Sequence, residues 1–159
     1  MFHIVLHEPE IPHNAGAAGR LALATGAALH LIEPLGFSLD DKYVRRTGLD
    51  YWRQVDLHVW KSFGELRQAA DPAAVFWFLS TKASATPWQA AFRPGDYLVF
   101  GPETRGLPED LVNADGDHAL RIPMEPGGTR SLNLATSVAI VLYEAMRQQR
   151  PEWSRTKGA

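Results

Sequence analysis

Apolar runs alternate with stretches of helical spacing from one end of the chain to the other, the pattern of an α/β sheet. The runs predict strands at Phe2–Leu6, Leu29–Ile32, His58–Trp60, Val75–Leu79, Tyr97–Phe100 and Ala119–Ile122. Several are apolar at nearly every position, as parallel strands covered on both faces are. The expected fold class is therefore α/β, a mostly parallel sheet flanked by helices. The clearest helix is the last: Leu132, Ala135, Val138, Ala139, Leu142 and Met146 recur on one face,. Ser131 stands where its cap belongs, and Pro151 ends the run,. Ser62-Phe63-Gly64-Glu65 reads as a capping box at the start of another helix,.

The first helix, Asn14 to Gly26, is unlike the others. It carries Gly16 and Gly19 in its interior, where each glycine costs about 1 kcal/mol relative to alanine. Leu21 to Ala24 are apolar on every face, so the helix is expected to be buried on more than one side,. Tight packing on the sheet and a subunit interface both account for that.

The chain has 159 residues, 45% hydrophobic and 21% charged, which fits one globular domain over 1–151 followed by a tail, 152–159,. Trp153 is the tail residue able to dock. With no cysteine, thiolate metal sites, disulfides and a cysteine nucleophile are excluded,. Lys plus Arg is 16 and Asp plus Glu 18, a formal charge of −2. Any nucleic-acid contact must then use a local patch. No apolar run reaches the roughly 18 residues of a membrane span, and the N-terminus lacks the basic start of a signal peptide, so a cytoplasmic location is expected.

Asn14-Ala15-Gly16-Ala17-Ala18-Gly19 follows a strand and opens a helix, with Glu33 at the end of the next strand. A dinucleotide-binding module or oxidoreductase is therefore an alternative, although the first glycine of that fingerprint is missing and two prolines stiffen the loop before it. The six histidines show no metal-binding spacing,, and no serine sits in a nucleophile elbow. Three segments place polar residues after strands: Asn14 to Arg20, Phe100 to Pro108, and Ile122 to Leu134. Ligands in open α/β sheets sit at such strand ends. Each segment also has a local explanation, with Asn14 and Ser131 as caps and Glu103 and Arg105 as a loop ion pair.

Asn14…Arg20, Phe100-Gly101-Pro102-Glu103-Thr104-Arg105-Gly106 and Ile122-Pro123-Met124…Ser131-Leu132-Asn133-Leu134 resemble motifs 1, 2 and 3 of the SPOUT superfamily of RNA methyltransferases. Glu8-Pro9-Glu10-Ile11-Pro12, Leu31 to Phe37 and Arg45 to Tyr51 are similar to the minimal subgroup that 2′-O-methylates the tRNA wobble nucleotide. The loop Glu125-Pro126-Gly127-Gly128-Thr129 is longer and richer in glycine than the pattern. The resemblance implies a deep C-terminal trefoil knot, S-adenosyl-L-methionine as cofactor, a tRNA substrate, no metal, and a homodimer whose subunits share each active site.

The same resemblance assigns the cofactor to Leu79, Gly101, Ile122, Met124, Ser131 and Leu132. It assigns catalysis to Arg20, with Asn14, Glu103, Ser131 and Asn133 in support. Glu103 would supply negative charge near a sulfonium or orient Arg105. Arg20 is a poor general base, because a guanidinium keeps its proton to a pH above about 12. Holding phosphate and stabilising a developing alkoxide suit it better. Lys42, Arg45 and Arg46 form a candidate RNA patch, with Tyr51 and Trp52 beside it as possible stacking partners for a base. Arg147, Arg150, Arg155 and Lys157 form a second cluster.

Overall fold

The computed structural model describes residues 1–40 and 49–155. Its strands are β1 (His3–His7), β2 (Ala28–Ile32), β3 (Leu57–Trp60), β4 (Phe76–Leu79), β5 (Tyr97–Phe100) and β6 (Ala119–Leu120). They form one sheet in the order β3-β2-β1-β5-β4-β6, with every neighbouring pair parallel. The helices are α1 (Pro12–Thr25), α2 (Phe63–Ala69), α3 (Glu109–Asn113) and α4 (Leu134–Gln149).

Side chains alternate across the central strands. Ile4, Leu6, Leu29, Leu31, Leu98 and Phe100 pack in one core with Ala15, Ala18 and Ala22 of α1 and Val138, Val141 and Leu142 of α4. Val5, Ile32, Phe78 and Val99 pack in a second core with Phe63 and Leu66 of α2 and Leu111 and Val112 of α3. Both faces of the central strands are thus buried, which is why their sequences are almost uniformly apolar.

The path of the chain through this sheet sets the site. From β3 at one edge it crosses to β4, returns to β5 beside β1, and leaves for β6 at the far edge. It then comes back to place α4 against α1. The segment between β6 and α4 therefore passes the C-terminal ends of β4 and β5. A dinucleotide fold has β4, not β5, beside β1.

Of three helix starts, one is as expected and two differ. Ser62 does cap α2, accepting from the Glu65 amide at 3.2 Å, while the Glu65 carboxylate accepts from Lys61 N. The α4 cap is Asn133 rather than Ser131: its Oδ1 accepts from the Thr136 amide at 3.2 Å. The buried stripe accordingly runs through Leu134, Val138, Val141, Leu142, Ala145 and Met146. Asn14 caps nothing, because α1 begins two residues earlier at Pro12, with Ile11 as its cap residue. Gly16 and Gly19 lie inside α1, not in a phosphate-binding turn.

The small residues of α1 do serve close packing. A Cβ on Gly19 would lie 2.6 Å from the Trp52 ring, which rests on the helix from the 3-10 turn Leu49–Gln54. Trp52 is thus partly buried at the edge of the core. At the other end Pro151–Ser154 forms a 3-10 turn, and Trp153 packs 6.1 Å from Tyr143.

A chain of hydrogen bonds crosses the early part of the sheet. Trp60 Nε1 donates to His30 Nδ1 at 3.0 Å. The His30 proton must then sit on Nε2, which lies 2.9 Å from His3 Nδ1 and donates to it,. Burial, with His3 and His58 nearby, pushes His30 down to about 3, and burial also lowers His3 and His7. The unfolded chain takes up these protons below pH 6.5 while the folded chain does not, so stability is complete above pH 6.5 and falls as pH drops towards 3. At pH 5 the His30 contribution alone is a loss of about 2 kcal/mol, or roughly 4–8 °C in Tm. Thermal melts at pH 7.5 and 5.0 measure this. His30→Gln keeps an acceptor for Trp60, has no titrating ring, and is expected to reduce the slope.

Candidate functional site

A cavity of about 780 Å³ opens at the C-terminal ends of β4, β5 and β6. Leu79 ends β4, Gly101 follows β5, Ile122 and Met124 follow β6, and Ser131 and Leu132 precede α4; all six line this one cavity. Asn14, Glu103 and Asn133 line it as well. Its walls mix aliphatic side chains with loop backbone, and its size is that of a cofactor site. Gly101 is needed here for the loop itself. A Cβ would fall 2.3 Å from Leu107 N and 2.4 Å from the Gly106 carbonyl carbon, because the segment doubles back over it. Gly106 completes the turn with φ +67°.

Two carboxylates tie this loop to the start of α1. Glu103 accepts from the amides of Glu10 and Ile11, each at 2.9 Å. These groups flank the N-terminus of α1, where backbone donors have no partner within the helix. Glu10 returns the contact, accepting from Thr104 Oγ1 at 2.7 Å and from Thr104 N at 3.2 Å. The Thr104 hydroxyl holds Glu10 below the usual carboxylate range. Burial pushes Glu103 up, against the two amides that favour its charged form. Glu103 therefore neither pairs with Arg105 nor orients it. Arg105 instead meets Glu8 at 3.3 Å. The backbone donors at α1 claim Glu103 first, a contact across 93 positions that sequence spacing does not reveal.

Asn133 joins the third segment to the first. Its Nδ2 donates to Asn14 Oδ1 at 3.1 Å while its Oδ1 caps α4. Both ends of the amide are committed, so Asn14, buried on α1, is held at the cavity wall.

Arg20 is not among the cavity-lining residues. It is exposed on α1, with its guanidinium 5.2 Å from the centroid of the Tyr51 ring. Lys42, Arg45 and Arg46 lie outside the described residues. In the C-terminal cluster, Arg147 is spent on Glu144 at 2.8 Å and Arg150 is 3.6 Å from Glu152. Sequence reasoning missed Arg121 and Arg130, two exposed cations on the cavity lining. Among the described residues no group of three or more side chains could hold a metal ion.

Residues 1–143, which carry all three segments, match the family described as SpoU rRNA methylase. The chain belongs to that family. Within this SpoU family it is 50% identical to a tRNA (cytidine(34)-2′-O)-methyltransferase of Saccharophagus degradans, over 93% of this chain and 96% of the relative. It is 45% identical to the enzyme of the same name from Escherichia coli K12, over 93% and 94%. A solved structure from work on 2-OH methylation of C/U34 on tRNA superposes with a TM-score of 0.90 at 48% identity, covering 95% of this chain and 97% of that one. The SpoU methyltransferase AviRb from Streptomyces viridochromogenes, in complex with AdoMet, superposes at 0.79 with 28% identity, over 92% of this chain and 57% of AviRb. Family membership removes the oxidoreductase alternative, in line with the strand order and with Gly16 and Gly19 lying inside α1.

Proposed function

We propose that this SpoU-family protein transfers a methyl group from S-adenosyl-L-methionine to the ribose 2′-hydroxyl of nucleotide 34, the wobble position, in tRNA. The observation that carries the reading is the convergence of Leu79, Gly101, Ile122, Met124, Ser131 and Leu132 on one cavity beside the Asn14–Asn133 pair. The names and near-complete overlap of the relatives support it.

The cavity suits the cofactor in size and lining. Leu79, Ile122, Met124 and Leu132 offer apolar contact for a purine. The backbone of the 101–107 loop offers polar groups, and Ser131 offers a hydroxyl. When bound, S-adenosylmethionine supplies an electrophilic methyl group on a sulfonium centre. The chain's own residues must then position the ribose and stabilise the oxygen that loses its proton. Arg20 serves the second task as a fixed positive charge. Asn133, oriented at both ends of its amide, keeps Asn14 and α1 in register with the cavity.

Arg20 lies on α1 outside the cavity of its own chain, which supports a homodimer in which one subunit's Arg20 serves the other's cofactor. Ile11 at the start of α1 and Tyr143 on α4 are 42% and 43% exposed, and both helices are available to such a contact. The reading includes the C-terminal knot and a cytoplasmic location. No helix among the described residues is long and apolar enough to cross a membrane.

The test is mass spectrometry of tRNA incubated with the protein and methyl-labelled cofactor. Label on the ribose of nucleotide 34 is the expected result, with full activity after chelator treatment. Label elsewhere, or activity that a divalent ion must restore, contradicts the reading.

A further inference from the structure

Among the described residues the arginines differ in how they are held. Arg67, Arg105, Arg147 and Arg150 each meet a carboxylate, at 2.7, 3.3, 2.8 and 3.6 Å, and Arg67 lies over the Phe76 ring as well, 4.8 Å from its centroid. Arg20 does not: among the described residues its recorded partner is the face of Tyr51, 5.2 Å from guanidinium carbon to ring centroid. That distance is within the range of a cation–π contact. The difference matters chemically. A carboxylate fixes a guanidinium by neutralising it and occupying its N–H donors. An aromatic face fixes its plane and leaves both the charge and the donor edge available to an anion.

The ring is itself anchored. Tyr51 is half-buried in the 3-10 turn Leu49–Gln54. The next residue, Trp52, lies against α1 at Gly19, one residue before Arg20, where a Cβ would come within 2.6 Å of the indole. Val55, just past the turn, is buried in the same core. The turn thus docks on α1 immediately below the arginine, and the absence of a side chain at Gly19 is what lets it approach.

We infer that Tyr51 is a positioning residue for Arg20: its ring holds the guanidinium of a catalytic arginine in place without discharging it. This rests on the function proposed above. In that reaction the oxygen attacking the methyl group develops negative charge, so a neutralised arginine would be in place yet ineffective. An arginine with no partner would keep its charge but spread it over many rotamers.

Three substitutions separate these roles. Tyr51→Phe keeps the ring and is expected to hold kcat within about twofold of the parent. Tyr51→Leu removes the π face and is expected to lower kcat about tenfold, with cofactor affinity and Tm nearly unchanged. Tyr51→Glu gives Arg20 a carboxylate and is expected to lose activity on the scale of Arg20→Ala. A structural role alone would lower Tm and cofactor affinity together with kcat in Tyr51→Leu. A Tyr51→Leu protein with parental kcat, or a Phe variant as poor as the Leu one, overturns the inference. A second readout needs no turnover: ¹⁵N NMR of the Arg20 Nε–Hε group should show an upfield ring-current shift in the parent and Phe proteins that Leu removes. If the parent methylates no tRNA but this shift behaves as stated, the functional reading fails and the positioning contact stands. If the parent is active and the shift is absent, the contact fails alone.

Discussion

Arg20→Ala is expected to lower methyl transfer at least about a hundredfold while cofactor affinity changes by no more than about twofold. The separation follows from geometry. The cofactor's expected contacts all line the cavity, and Arg20 lies outside it on α1. Removing an interaction made with the reacting oxygen lowers kcat, whereas removing a ground-state contact to the cofactor would raise its dissociation constant. Calorimetry with S-adenosylmethionine, run beside single-turnover methylation of tRNA, measures both. A matched fall in affinity and rate would make Arg20 a cofactor ligand and remove the role assigned to it.

The second large effect is expected at Gly101. In Gly101→Ala the new methyl group meets the backbone at Gly106 and Leu107, not a side chain that can swing aside. The 101–107 segment must open, at a cost of about 2–4 kcal/mol and roughly 5–10 °C in Tm. Since that segment forms one wall of the cavity, cofactor affinity is expected to drop at least tenfold,. Thermal melts and calorimetry check the two parts. Parental affinity in a destabilised protein would show that the cofactor does not use this wall. Mixing Gly101→Ala with Arg20→Ala chains then asks whose arginine serves whose cavity. With random pairing, a shared site restores about a quarter of parental activity, and a site contained in one chain restores none.

The elements were legible in the sequence to different degrees, for physical reasons. Buried parallel strands require apolar residues on both faces, so β1, β2 and β5 stand out as runs. Strand order does not, because β4 and β5 have equally apolar sequences and nothing in either says which lies beside β1. Ser131 and Asn133 are both good cap residues, and only the actual start of α4 at Leu134 decides between them. The six candidate cofactor residues came from family motifs, and one cavity gathers all six. The contacts that hold those motifs together were not. Glu103 reaches Glu10 across 93 positions, and Arg20 meets Tyr51 across a stretch without regular spacing. Local chemistry alone paired Glu103 with Arg105. The open amides at the head of α1 made the better partner.

The exchange between Glu10 and Glu103 also sets how this region comes apart. The amides of Glu10, Ile11 and Thr104 are bonded only while both loops are closed, since each loop supplies the acceptor for the other's donors. Neither loop can open singly without leaving the other's backbone exposed. Two stretches far apart in the chain therefore form one unit of local unfolding, and a single opening event governs the exchange of all three amide protons. The head of the helix that carries Arg20 and the wall of the cofactor cavity melt together or not at all.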